Sequence, residues 1–208
     1  MALWFDETYG GKIRFGLRLK RSLYQGKSEF QTVDVVETEE FGRALALEDA
    51  WMTSERDEAH YHEMIAHPAL TAAKKIERVL VIGGGDGGTV REVLRHAEVK
   101  HVTMVELDKL VVDVCKEHLT SFGVPWNDPR LDVQFGDGIA YLNNYQGELY
   151  DVILIDGSDP VGPAEGLYAS PFYASAKRCL TPGGVVASQT ESPIAMAEDF
   201  ARIVKTLR

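Results

Sequence analysis

The chain has 208 residues, 45% hydrophobic and 26% charged, which suits one α/β domain with a small appendage. A formal net charge of −10, from 32 acidic against 22 basic side chains, argues against binding the phosphates of a nucleic acid. No apolar run approaches the roughly 20 residues of a membrane span, and the first fifteen residues hold no secretory signal, so a cytoplasmic location is expected.

Residues 1–52 read as a small antiparallel β domain. Phe15–Lys20, Gln31–Val36 and Arg43–Leu47 alternate with period two and are separated by glycine and charged turns. Ser54 is a candidate cap for a helix running to Ala73. From there residues 53–208 alternate strand and helix. Val79–Ile82, Val102–Val105, Leu131–Phe135, Val152–Ile155 and Val185–Ala187 are short apolar runs suited to parallel strands buried on both faces. Thr89–Ala97, Leu110–Leu119 and Phe172–Leu180 read as helices, the last stopped by Pro182-Gly183-Gly184. The pattern predicts a doubly wound parallel α/β sheet of the Rossmann-like, methyltransferase type. Met196–Arg208 reads as an amphipathic helix still running where the sequence stops, and the fifth strand would be an exposed apolar edge. The C-terminal part of the sheet is therefore expected to lie beyond residue 208, or to have been lost by truncation. Cys115 and Cys179 are read as buried free thiols in a reducing compartment. With no histidine cluster at ligand spacing to join them, no metal is expected.

The chemistry concentrates in the strand-to-helix loops. Gly83-Gly84-Gly85-Asp86-Gly87-Gly88 fits G-x-G-x-x-G at Gly83, Gly85 and Gly88, where missing Cβ atoms allow a tight turn and close approach of a ligand. Glu106, 20 residues after Asp86 at the end of the second parallel strand, is placed to accept both ribose hydroxyl protons. Asp86 inside the glycine loop would repel a pyrophosphate and welcome a cation. Such a loop resembles S-adenosylmethionine-type sites, whose ligand carries a sulfonium and an amine. Asp137, in Gly136-Asp137-Gly138, is read either as a hydrogen-bond acceptor for an adenine amino group or as an Asx-turn residue. Asp156-Gly157-Ser158-Asp159-Pro160-Val161-Gly162-Pro163 follows the fourth strand, where ligands sit in open α/β sheets. It reads as a rigid anionic loop, or for Asp159 as a backbone-capping turn.

These loops together carry a resemblance. Tyr61-His62-Glu63-Met64, Gly83–Gly88, Val105-Glu106-Leu107-Asp108, Gly136-Asp137-Gly138, Asp156–Pro163 and Gln189-Thr190-Glu191-Ser192-Pro193 resemble, in order, the motifs of the spermidine synthase family. The likeness runs over almost the whole chain, including Trp4, Gln31 and Thr53–Glu58. The resemblance implies transfer of an aminopropyl group from decarboxylated S-adenosylmethionine to a diamine, usually putrescine, giving spermidine and methylthioadenosine. The donor would be a co-substrate, with no cofactor. It implies Asp156 as general base, and Asp86 as the group holding the aminopropyl amine. Glu106 would hold the ribose, with Gly83 and Gly85 beside the nucleoside. Asp137, Gly138 and Pro163 would meet the adenine, and Asp159, Gln31, Tyr61 and His62 would make further substrate contacts. Glu191 and Trp4 would line the diamine channel. Gly157 stands where the family more often has Ser, Thr or Cys. A homodimer or homotetramer is expected by the same analogy.

The residues support such chemistry independently. A carbon beside a sulfonium leaves a neutral thioether when attacked, so the barrier lies in delivering a neutral amine in line. Diamine amines are protonated at neutral pH, with a pKa of roughly 10, and a carboxylate of ordinary pKa, about 4, is a poor base for them. Asp156 is therefore expected partly buried beside other acids, its pKa raised. Three rival readings remain: an S-adenosylmethionine methyltransferase, a silent paralogue or assembly subunit, and a nicotinamide dehydrogenase. The acceptor stays open among putrescine, agmatine, cadaverine and spermidine.

Overall fold

A computed structural model describes residues 3–9, 11–160 and 162–207, the side chains of Gly162 and Pro163 excepted. Its first part is an antiparallel meander of five strands in sequence order: β1 (Leu3–Tyr9), β2 (Ile13–Lys27), β3 (Thr32–Thr38), β4 (Arg43–Leu47) and β5 (Ala50–Ser54). Two of these, β1 and β5, were not predicted, and the sheet runs past residue 52. The β4–β5 hairpin turns through Glu48 and Asp49, both with positive φ (48° and 64°). That two-residue geometry is normally announced by Asn-Gly or Asp-Gly, so an acidic pair hides it. Ser54 closes β5 rather than capping a helix. Its hydroxyl donates to Asp57 at 2.5 Å, and α1 (Glu58–Ala72) begins one residue later.

The second part alternates strand and helix: β6 (Arg78–Gly83), α2 (Gly88–Leu94), β7 (His101–Glu106), α3 (Lys109–His118), β8 (Leu131–Phe135), α4 (Gly138–Asn144), β9 (Tyr150–Asp156), α5 (Ser170–Arg178), β10 (Leu180–Ser188) and α6 (Ala197–Leu207). Short 3-10 turns stand at Thr120–Phe122 and Gly162–Tyr168. The sheet is wholly parallel, in the order β10-β9-β6-β7-β8. Pro182-Gly183-Gly184 does not end a helix. It lies inside β10 at a register shift between Leu180 and Val185, with Gly183 at φ +86°. α5 already stops at Arg178, and α2 stops at Leu94 rather than Ala97.

Alternation within the buried strands builds the layers. Val79, Val81, Val152 and Leu154 pack on one face with Ala66 and Leu70 of α1 and Val90 and Val93 of α2. Leu80, Ile82, Ile153 and Ile155 pack on the other with Leu142 of α4 and Phe172 and Ala176 of α5. Both faces are covered, as an all-parallel sheet requires. The first sheet joins this body through Val33, Val35 and Leu45, which meet Val111, Val114 and Cys115 of α3 and Phe122. Both cysteines are free and buried. No helix among the described residues is long and apolar enough to cross a membrane.

β6 pairs with β7 on one side and β9 on the other, so consecutive connections leave β6 and β9 in opposite directions. A crevice opens there, beyond the carboxyl ends of the strands. Leu154 is fully buried in the layer beneath it. Leu154→Ala should cost about 2–5 kcal/mol, read as a lower denaturation midpoint. A cost under about 0.5 kcal/mol would mean this layer is not the packed core described.

Candidate active site

The crevice holds a cavity of about 210 Å³ between the carboxyl ends of β6, β7 and β9 and the inner side of β4 and β5. Among the described residues its wall carries Asp86, Glu106, Asp137, Asp156 and Asp159, and no lysine or arginine. Leu45, Leu47, Met52, Ile82, Val105, Val111 and Ile139 supply apolar surface between them. Such a wall suits a ligand with an apolar body and positive charge.

Glycines bring the acids together. Gly83 of β6 is the register partner of Asp156 in β9, and the Gly84 N–H donates to the Asp156 carbonyl at 2.9 Å. Gly83 has φ +81°, and a Cβ there would stand 2.2 Å from that carbonyl oxygen, so only glycine fits. Gly88 opens α2 with its Cβ position filled by the His62 ring, 2.2 Å away. The loop therefore presses Asp86 and Asp156 into one desolvated pocket, with His62 wedged behind Asp86.

The two acids part company electrostatically. Asp86 accepts the Gly88 N–H at 2.7 Å and faces His62 Nε2 at 3.2 Å. Burial alone would raise its pKa, but the His62 imidazolium, the Gly88 N–H and Arg91 outweigh that and hold it below the ordinary value. Asp156 is pushed above its ordinary value by burial first and by Asp86 second, with His62 and the Thr89 and Tyr61 hydroxyls opposing. Tyr61 donates to Asp156 Oδ1 at 2.5 Å, while Oδ2 is buried without a partner among the described residues. Neighbouring carboxyl groups with diverging proton affinities are the arrangement that assigns one as fixed anion and the other as proton acceptor.

Around this pair, Glu106 is pushed up to about 7, by burial above all, although the Asp108 N–H donates to it at 2.9 Å. Asp137 caps α4 through the Ile139 N–H at 2.8 Å, which is the Asx reading, and still lines the cavity with Gly138. Gln31 also lines it, its amide donating to Asp108 at 3.1 Å. Asp159 lines it at the far end, its pKa raised by burial while its Oδ1 accepts from Gln189 at 3.4 Å.

Three of the sequence-predicted residues stand elsewhere. His62 is wholly buried and does not touch the cavity, because both ring nitrogens are engaged, by Glu58 at 2.6 Å and by Asp86. Trp4 is 54% exposed on the edge strand β1, paired with Arg18 and away from the cavity wall. Glu191 is buried outside the wall, its pKa pushed up to about 7 by burial and then by Asp159. Glu7 joins the same electrostatic neighbourhood, and its carboxylate accepts the Trp51 N–H at 3.2 Å. The Pro163 side chain lies outside the described residues.

Trp51, Phe30, Leu167, Ser158 and Gln189 line the cavity without having been singled out. Trp51 was hidden because β5 itself was not legible. Asp108 was quoted only as part of a motif, yet its carboxylate orients both Ser28 and Gln31. Gly157 is hemmed in by Leu167, whose Cδ1 lies 2.8 Å from where a Cβ would stand.

Burial pulls the His62 pKa down, but Asp86 and Glu58 outweigh it and raise the ring to about 9, above an unfolded value near 6.5. Its contribution to stability is whole below about pH 6.5 and fades as pH climbs through about 9. Between about pH 6 and about pH 10 the stability gap between the native chain and His62→Gln should therefore narrow, by chemical denaturation at each pH. A gap that stays constant would mean the ring is not held as a cation.

Comparison with known proteins places this cleft. Residues 3–55 match the spermidine synthase tetramerisation domain, and residues 58–208 match the spermine/spermidine synthase domain. A polyamine aminopropyltransferase of Prochlorococcus marinus (strain MIT 9313) is 48% identical over 206 residues, 99% of this chain and 71% of that protein. One from Alkaliphilus oremlandii (strain OhILAs) is 43% identical over 193 residues, 93% of this chain and 68% of the relative. Among solved structures, a spermidine synthase in complex with the transition-state analogue AdoDATO superposes with a TM-score of 0.95. It is 34% identical, the match covering 99% of this chain and 70% of that one. With its acids gathered at the switch point of a parallel sheet and both halves matched in order, the chain belongs to the spermine/spermidine synthase family, the polyamine aminopropyltransferases.

Proposed function

We propose that this aminopropyltransferase moves the aminopropyl group of decarboxylated S-adenosylmethionine to putrescine, giving spermidine and methylthioadenosine. One observation carries the reading: among the described residues the cavity wall holds five carboxyl groups and no lysine or arginine. Both proposed substrates are cations, and neither presents a carboxylate. An S-adenosylmethionine methyltransferase would need a partner for the carboxylate of its donor, and among the described residues this wall supplies five acids and no cationic side chain.

In this reading Glu106 accepts the ribose hydroxyls, while Asp137 and Gly138 meet the adenine together with Pro163. Gly83 and Gly85 let the backbone approach the nucleoside. Asp86, kept ionised by its surroundings, takes the ammonium of the aminopropyl arm. Tyr61, Gln31 and Asp159 hold the diamine, and Glu191 with Glu7 extends the negative field behind Asp159. His62 acts behind Asp86 rather than on substrate, and Trp4 is given no place in the channel.

Putrescine arrives as a dication. Asp156, with its raised proton affinity, takes one proton from the attacking ammonium. The freed nitrogen lone pair attacks the carbon next to sulfur. A C–N bond forms as the C–S bond breaks, and its electron pair returns to sulfur as the neutral thioether. The donor is consumed, so the reading calls for no resident cofactor. We further propose a homodimer or homotetramer assembled through the first sheet. Leu3, Trp4, Ile13 and Phe15 of β1 and β2 leave 44–55% of their surface exposed there.

Product analysis by mass spectrometry tests this, with the native chain and Asp156→Asn offered the decarboxylated donor and putrescine, agmatine, cadaverine or spermidine. Spermidine and methylthioadenosine from putrescine should dominate. The variant should lose about 10²-fold or more in kcat with the donor KM within about threefold. Near-full turnover by the variant at every pH would remove Asp156 as the base, and preference for another amine would remove putrescine.

A further inference from the structure

Behind the cavity acids stands a second layer of charge. Glu58, the first residue of α1, places Oε2 2.6 Å from His62 Nδ1 and receives both terminal nitrogens of Arg91, at 2.8 and 2.9 Å. Arg91 in turn donates Nε to Glu92 Oε1 at 2.7 Å and Nη1 to the Phe122 carbonyl at 2.8 Å. Glu92 is itself anchored by Arg95 at 2.7 Å and by His67 at 3.1 Å. The side chains of Glu58, Arg91 and Glu92 are 12%, 16% and 2% exposed, so this is a packed array, unlike a surface ion pair.

The array bears on His62 in a specific way. A neutral imidazole has one N–H and one lone pair, and could turn the lone pair toward Asp86. With a carboxylate at each nitrogen, both nitrogens must donate, and the ring must carry the charge. The groups facing the ring are Glu58 and Tyr61 from its own helix, Asp86 and, farther off, Asp156 from the loops, and the edge of Phe122. Among the described residues only Glu58 bonds Nδ1. Arg91 grips both Glu58 oxygens in a fork, which a point charge could not do.

We infer that Glu58, pinned by Arg91, is a positioning residue for aminopropyl transfer: it holds His62 with both ring N–H groups donating and so fixes the Asp86 carboxylate for the amine of the donor. The inference rests on the reading of Asp86 as the amine-binding group. Glu58 touches no substrate and acts through two other side chains, as an outer partner acts through a metal-bound histidine.

Steady-state kinetics with decarboxylated S-adenosylmethionine, together with ¹⁵N NMR of the His62 ring, tests it on Asp86→Asn, Glu58→Gln and Arg91→Lys. Asp86→Asn should raise the donor KM. Glu58→Gln should raise it about 10–100-fold with kcat at saturation within about threefold, the span seen when a supporting partner is lost. Both ring nitrogens should be protonated near neutral pH in the native chain, and one in Glu58→Gln. An unmoved KM in Asp86→Asn would overturn the reading of Asp86. A raised KM there, with Glu58→Gln matching the native chain in KM and ring signals, would overturn the inference alone. If Glu58→Gln does not fold, Arg91→Lys decides, since it keeps the charge but loses the fork on Glu58, along with the bonds to Glu92 and the Phe122 carbonyl. A severalfold rise in donor KM supports the inference, and an unchanged KM overturns it.

Discussion

Two carboxyl groups share one desolvated space at the ends of adjacent parallel strands, and the rest of the site is arranged around that constraint. Asp86 follows β6 and Asp156 ends β9, and the Gly84–Asp156 backbone bond ties their loops together. Like charges in a low-dielectric pocket cannot both be cheaply ionised. The fold resolves the conflict unequally. Asp86 has the buried His62 cation and a backbone N–H, whereas Asp156 is bonded by the neutral Tyr61 hydroxyl, with that of Thr89 beside it. One acid is held as an anion, and its neighbour has a raised proton affinity.

The first sheet completes this pocket. Leu45, Leu47, Trp51 and Met52 close over the crevice, and their apolar surface lowers the dielectric around the acids. Val33, Val35 and Leu45 lock the sheet onto α3, so the roof belongs to the same packed body as the floor. Burial and electrostatics are thus one mechanism: the same walls that shape the cavity raise the proton affinity of Asp156 and Glu106.

Much of this was legible in the sequence, for identifiable reasons. The buried parallel strands announce themselves as apolar runs, and the loops that follow them carry Asp86, Glu106, Asp137, Asp156 and Asp159, which the family resemblance joined in one site. What stayed hidden was tertiary. β5 and Trp51 escaped because Glu48-Asp49 makes a positive-φ turn without glycine or asparagine. Pro182-Gly183-Gly184 looked like a helix stop but is an irregularity within edge strand β10, where a proline is tolerated. His62 looked like a substrate contact because it adjoins Tyr61, yet on a helix adjacent residues point about 100° apart. Tyr61 reaches Asp156 while His62 turns to Glu58 and Asp86. No spacing rule links Glu58 on α1 to Arg91 on α2, so the array behind the site required coordinates.

The account stands on unequal proton affinities in that shared pocket. Site-resolved ¹³C NMR of the aspartate carboxyl groups, titrated in the ligand-free chain, reads them directly. The structure predicts that Asp86 stays ionised well into acid while Asp156 takes up its proton at a distinctly higher pH than an exposed aspartate, whose pKa is about 4. Two ordinary and coincident titrations would contradict it, because the cavity would then hold neither a fixed anion nor a base.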